Sequence, residues 1–119
     1  MSACLRDFAR LGEMIRCRGS LDGRRILPER IFDDLFTGGD RRAFGPRMEV
    51  DGGSYRSQFW FYHDRHRSFA CRGQYGQRIW IAPDAETVVA QFGADVQLAA
   101  QEPLRLAGMQ AIADELTSR

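Results

Sequence analysis

The chain contains no lysine and no asparagine; all 17 of its basic residues are arginine. A Ser-x-x-Lys nucleophile pair therefore cannot occur in it, nor can a Tyr-x-Asn element, and no serine stands in a Gly-x-Ser-x-Gly elbow. Acyl transfer needs a nucleophile beside a base as well as backbone donors for the oxyanion, and the first two are missing from these residues. An excess of one charge is missing too: the 28% charged residues nearly cancel to +1. No field gathers nucleic acid or an anionic membrane, and neither is expected as a partner. No apolar run is long enough to cross a bilayer, and the opening MSACLRDFARLG carries acids and no hydrophobic signal core, which argues against a secretion signal. Paired cysteines are also lacking. Cys4, Cys17 and Cys71 are odd in number and widely spaced, which implies a reducing compartment and hence a cytoplasmic location.

What is present is enough for one domain. A length of 119 residues with 44% hydrophobic content supports a single core. The arginines admit a functional reading, guanidinium forks for phosphate or carboxylate. A coding bias toward arginine is favoured instead, because they are scattered among acids and form no stripe.

The stretch from Ser54 to Gly93 reads as consecutive strands joined by tight turns. Phe59 and Phe61 alternate with Trp60 and Tyr62, Ile79 and Ile81 with Trp80 and Ala82, and Val88, Ala90 and Phe92 with Val89 and Gln91. Neither face is polar, so the sheet is expected as a middle layer covered on both sides. Before it, Ser2 is placed to cap a helix to about Arg18 with Leu5, Phe8, Leu11 or Gly12, and Ile15 inward, and Gly19 to end it. Asp22-Gly23 is hairpin-turn chemistry. Pro28 opens a short helix to Phe36 with Ile31, Phe32 and Leu35 inward, and 40–53 is a polar loop. After the sheet, Pro103 opens a last helix to about Thr117, with Leu104, Ala107, Ala111, Ile112 and Leu116 as its buried face. The expected fold is α+β, a three-stranded antiparallel meander flanked by helices in the order α-α-β-β-β-α.

Several side chains invite a chemical reading. His63, Asp64 and His66, with Cys71, could make a zinc site. His-x-x-His puts its imidazoles on opposite faces of a strand, however, and fits a solvated turn better, so no metal is assigned. Cys71 reads as a buried small hydrophobe. Asp33-Asp34 and Asp84 with Glu86 read as a helix surface and a turn. Ser2, Ser20, Ser54, Ser57, Ser68 and Ser118 all sit where caps, turns or strand edges use them. The run Arg72-Gly73-Gln74-Tyr75-Gly76-Gln77 is more informative: it reads as a strand with two glycines three apart. Such glycines mark either the close approach of a ligand or a bulge, and the residues alone leave both open.

The run ACRGQYGQRIWIAPDAETVVAQFG resembles the C-terminal strands of β-lactamase-fold serine hydrolases, the broad group containing class C type enzymes, penicillin-binding esterases and 6-aminohexanoate-dimer hydrolases. The opening MSACLRDFARLGEMIRCRGSLDGRRILPERIFDD is similar to the helix, turn and helix preceding those strands. The resemblance covers nearly all of 1–119, as a single partial domain, and implies that the family's Ser-x-x-Lys and tyrosine lie upstream of the part present. It also implies that Cys71-Arg72-Gly73 stands where the family carries Lys-Thr-Gly. By this carry-over the Gln74 backbone N–H is the second oxyanion donor, Gly73 lets the substrate backbone approach, and Arg72 and Tyr75 line or support the cleft. The implied substrate is an ester or amide small molecule, cleaved only together with the missing part, and no cofactor is implied. An open edge and an uncovered apolar face would favour self-association or docking with that part. The rival reading is a non-catalytic binding or dimerisation module with Phe59, Trp60, Phe61, Tyr62, Tyr75 and Trp80 as its surface. The oxyanion reading requires that Gly73 to Gly76 stay out of helix and that the chain's own terminus not cap that edge.

Overall fold

The structure, a computed structural model, describes residues 3–44, 52–96 and 98–119. Ser2 and residues 45–51 of the expected polar loop lie outside the described residues. Helix α1 spans Leu5–Arg16 and is followed by a hairpin of β1 (Ser20–Leu21) and β2 (Arg24–Arg25), then α2 (Arg30–Phe36) and α3 (Arg41–Phe44). A five-stranded sheet follows, β3 (Ser54–Arg56), β4 (Phe59–Phe61), β5 (Phe69–Arg72), β6 (Arg78–Ala82) and β7 (Thr87–Gln91), and α4 (Leu98–Thr117) closes the chain. The strands lie in chain order, each antiparallel to the next.

The α+β meander is thus present, with five strands where three were expected. One extra strand arises at Ser57 and Gln58, whose φ values of 51° and 72° turn the chain back within two residues, and the other is β5, which pairs between β4 and β6. Asp22 and Gly23 make the expected tight turn, both with positive φ. Cys4 precedes α1, and its N–H and thiol both donate to the Asp7 carboxylate at 3.2 Å.

The sheet is the middle layer that its two-faced alternation demands. Phe61, Phe69, Ile79 and Ile81 bury against Met14, Ile15, Phe32 and Leu35 of α1 and α2. Ala70, Trp80 and Ala82 bury against Leu106, Met109 and Ala113 of α4 on the other side. Helix α1 rides directly on the sheet at Gly12, where an added Cβ would lie 2.5 Å from Val88 Cγ1.

Two helix faces differ from expectation. In α1, Met14 is buried and Leu5 is 45% exposed. In α4 the buried stripe is Glu102, Leu106, Met109 and Ala113, while Leu104, Ile112 and Leu116 face out at 74%, 48% and 54% exposure. The reason is electrostatic: the fully buried Glu102 is held by Arg78 and Tyr62 of the sheet, and that anchor sets the helix rotation. Pro103 lies inside α4, near enough to its start to cost one hydrogen bond without ending the helix.

Candidate functional site

The segment Arg72 to Gln77 is a hairpin turn, which corrects the strand expected there. Pairing of β5 with β6 ends at Arg72↔Arg78. Gly73 continues extended (φ −108°, ψ 177°) and donates its N–H to Gln77 O at 2.8 Å. Gln74–Gly76 then form one 3-10 turn, closed by Gln77 N–H to Gln74 O at 3.3 Å. The requirement that this segment avoid helix is therefore not met at Gln74–Gly76. The Gln74 N–H is the first beyond the Gly73–Gln77 hydrogen bond and has no acceptor among the described residues. Such a group is ordinary at the start of a turn, where the first N–H groups lack internal partners. Nor is β5 an edge, since β4 and β6 flank it.

Tyr75 sits at φ 61° and ψ 24° in the left-handed region, with its side chain 49% exposed. A non-glycine, non-Asx residue there is held by its surroundings. Gly76 (φ +83°) packs against the Arg105 guanidinium, so that any side chain at this position would meet it.

Beside the turn, on the α1 side of the sheet, a cleft of about 210 Å³ is lined by Phe8, Cys71, Gly73, Gln77, Ile79, Gln91 and Phe92 among others. Its walls are mostly apolar, and Phe8 and Phe92 meet edge to face at 5.6 Å. Burial pushes the Cys71 thiol up to about 11, so it is neither a thiolate nucleophile nor a poised metal ligand at neutral pH. Arg72 joins the cleft wall, yet its guanidinium reaches to the α4 side, stacked over Trp60 at 4.7 Å and 3.6 Å from Glu102. Gly73, Gln74 and Tyr75 thus come together at the turn, while the Arg72 charge is engaged behind it.

The YHDRHR segment is the expected turn, between β4 and β5, with His63, Arg65 and Arg67 exposed and Asp64 and His66 drawn inward. Burial raises the Asp64 carboxyl, but hydrogen bonds from the Ser68 hydroxyl and N–H, the Gln110 amide and the His66 N–H outweigh it and hold the group below its usual range. His66 is buried and bonds Asp114 of α4 at 2.9 Å. No cluster of three metal-ligating side chains occurs among the described residues.

Sequence reasoning missed a serine–histidine contact, Ser54 Oγ to His63 Nε2 at 2.6 Å. Ser54 is fully buried and its Oγ accepts the Gly39 N–H at 3.2 Å, leaving its proton for the imidazole. Burial, then the nearby Arg41 charge, lowers the His63 pKa and keeps the ring neutral. With its hydroxyl sealed from solvent, this pair ties strands together and offers no nucleophile. The rival aromatic surface is absent as drawn, since Phe61, Tyr62 and Trp80 are buried and Phe59 and Trp60 half-buried.

No family model matches the chain. It is 27% identical over 95 residues, 77% of its length, to a 6-aminohexanoate-dimer hydrolase of Paenarthrobacter ureafaciens, and spans about a quarter (24%) of that curated relative. Its fold superposes, over 98% of the chain and 30% of the other, on a Bacillus anthracis protein provisionally named as a 6-aminohexanoate-dimer hydrolase, with a TM-score of 0.79 and 28% identity. In sequence and fold together, the chain is similar to a C-terminal portion of a β-lactamase-fold hydrolase of the 6-aminohexanoate-dimer hydrolase kind.

Proposed function

We propose that this chain supplies the oxyanion side of a serine-hydrolase cleft that cleaves an ester or amide through an acyl-enzyme, with the Gln74 N–H as donor and the nucleophile outside these residues. One observation carries the reading: the position that the resemblance assigns to the donor is the first N–H past the β5–β6 ladder, without an acceptor among the described residues. The adjoining cleft supports it, because apolar walls with Gln77 and Gln91 suit an uncharged acyl chain. Gly73, in the cleft wall, supports close approach of a substrate backbone, and Tyr75 stands exposed on the turn. Alone, the chain generates no tetrahedral intermediate for the donor to stabilise, so it turns over no p-nitrophenyl ester above background. Turnover abolished by a change within these residues would overturn that.

The stronger test grafts the chain in place of the matching part of the Bacillus anthracis protein and replaces Gln74 by proline. Proline removes the N–H, is tolerated at the first position of a helical turn, and follows an already extended Gly73. Loss of one oxyanion donor lowers kcat by about 100- to 1000-fold. A Gln74→Pro graft that keeps its kcat within about threefold refutes the role, that loss being the one expected of such a donor.

A further inference from the structure

Resting on that reading of Gln74, we infer that Arg105 and Asp95 are positioning residues for its N–H: from outside the hairpin they lock the turn at Tyr75 in its left-handed form. The turn does not support itself. Tyr75 is half exposed, so side-chain burial does not fix its backbone in a conformation that is unfavourable for an L-residue of this kind. The restraint comes from the segment between β7 and α4.

Three contacts make the grip. The Asp95 N–H donates to Tyr75 O at 3.1 Å. Gly93 lies so close that a Cβ there would be 2.5 Å from the same oxygen. Arg105, from the second turn of α4, donates Nη2 to Asp95 Oδ2 at 2.6 Å and to Gln101 Oε1 at 3.2 Å, and its guanidinium lies against Gly76. The ion pair is largely sheltered, with side chains 15% and 26% exposed. Arg105 Nη1 is buried and has no acceptor among the described residues. An ordinary surface pair would leave that nitrogen in water. Here it is pressed onto the turn, and a buried donor left unmade is a cost that this contact must offset.

With Tyr75 O held from the segment between β7 and α4, Gly76 held by Arg105 of α4, and the Gly73–Gln77 and Gln77–Gln74 hydrogen bonds closing the other side, the Gly73–Gln74 peptide is fixed between two restraints. The direction of the Gln74 N–H then depends on Arg105, some thirty residues away in sequence. A tie that merely fastened α4 to the sheet would duplicate the Arg78–Glu102 pair, which already does so from a buried site.

The test has two arms. In the full chain, Arg105→Gln is expected to raise amide exchange at Gly73, Gln77 and Asp95, whose N–H groups make the turn's hydrogen bonds, by about tenfold or more, while the core amides of Ile79 to Ile81 keep their protection, because the opening is local. Unchanged exchange at the turn, or a rise spread equally over the sheet, overturns the inference. In the graft described above, Arg105→Gln is expected to lower kcat about 10- to 100-fold with KM within about threefold, and to add nothing in the Gln74→Pro background, since both act through one donor. Independent, multiplying effects of the two changes would show that Arg105 acts elsewhere. If Gln74→Pro is silent by itself, the oxyanion reading fails, and the exchange arm still decides whether Arg105 holds the turn.

Discussion

Among the described residues, Glu102 is the only acid that is fully buried. Arg78 grips it with both arms, at 2.9 and 2.7 Å, Tyr62 OH donates to it at 3.1 Å, and the Arg72 guanidinium lies 3.6 Å away. The two arginine side chains are 3% and 14% exposed, so neither finds water if the carboxylate goes. Glu102→Gln keeps the volume but turns one acceptor oxygen into a donor facing Arg78 and strands a buried cation. Breaking a buried pair from one side costs about 3–5 kcal/mol, a large part of the roughly 5–15 kcal/mol that holds a domain together. For a chain of this size, at about 4 °C per kcal/mol, Tm falls by roughly 12–20 °C. Removing both partners has a different outcome. Arg78 Nε and Trp80 Nε1 already lack acceptors among the described residues, so the double variant Arg78→Met, Glu102→Leu sheds an unsatisfied donor along with two charges and recovers part of the loss, Arg72 and the Tyr62 hydroxyl still being deprived of Glu102. Thermal and urea unfolding followed by circular dichroism at pH 7 measure both variants. A fall of less than about 3 °C for Glu102→Gln, set against that scale, or a double variant no more stable than the single one, refutes the claim that this charge fixes the rotation of α4.

Gly12→Ala gains intrinsic helix propensity of about 1 kcal/mol, yet its Cβ would stand 2.5 Å from Val88 Cγ1 and 2.7 Å from Ile79 Cγ2; overpacking of about 1–3 kcal/mol outweighs it, and urea unfolding is expected to show net destabilisation, with a stabilised variant refuting the close seat of α1 on β6 and β7. The outward stripe of Leu104, Ile112 and Leu116 on α4 leaves apolar surface without cover, so the isolated chain is expected to self-associate, or to dock with a polypeptide supplying the rest of a relative-length fold, and Leu104→Glu to weaken that association. Sedimentation of a dilute, well-folded monomer that binds no hydrophobic dye would count against it.

The layers of the fold were legible because they follow from period alone. Phe59, Phe61, Ile79 and Ile81 fell on one face and Trp60, Tyr62, Trp80 and Ala82 on the other, as alternation requires. The face of α4 was not legible for the opposite reason. Its register is set by Glu102, which no apolar pattern counts as a core residue, and by an arginine on a strand far away in sequence. The break at Ser57 and Gln58 was hidden because neither residue belongs to the Gly, Asn or Asp set that signals positive φ. At the site, Gly73 and Gly76 announced a special backbone but not its kind. Asp95 and Arg105 left no signal at all, being two ordinary charges in a chain full of them.

That the segment around Gln74 proved to be a turn bears on where such a donor can exist. β5 pairs with β6 along its whole length but with β4 only at Phe69 and Ala70, and its successive N–H groups alternate between those two sides. An N–H engaged in a ladder cannot meet a developing charge without breaking a ladder bond, and a buried carbonyl left behind would cost about 1–3 kcal/mol. The Gln74 N–H lies past the last pair, where the chain is still held in place by the ladder behind it. Arg72↔Arg78 is that last pair, Gly73 closes onto Gln77, and Gln74 comes next. Because the extended Gly73 directs its N–H at Gln77 across the hairpin, alternation turns the Gln74 N–H to the other side, where pairing with β4 has already ended at Ala70, and that leaves the donor the proposed chemistry needs without a strand partner.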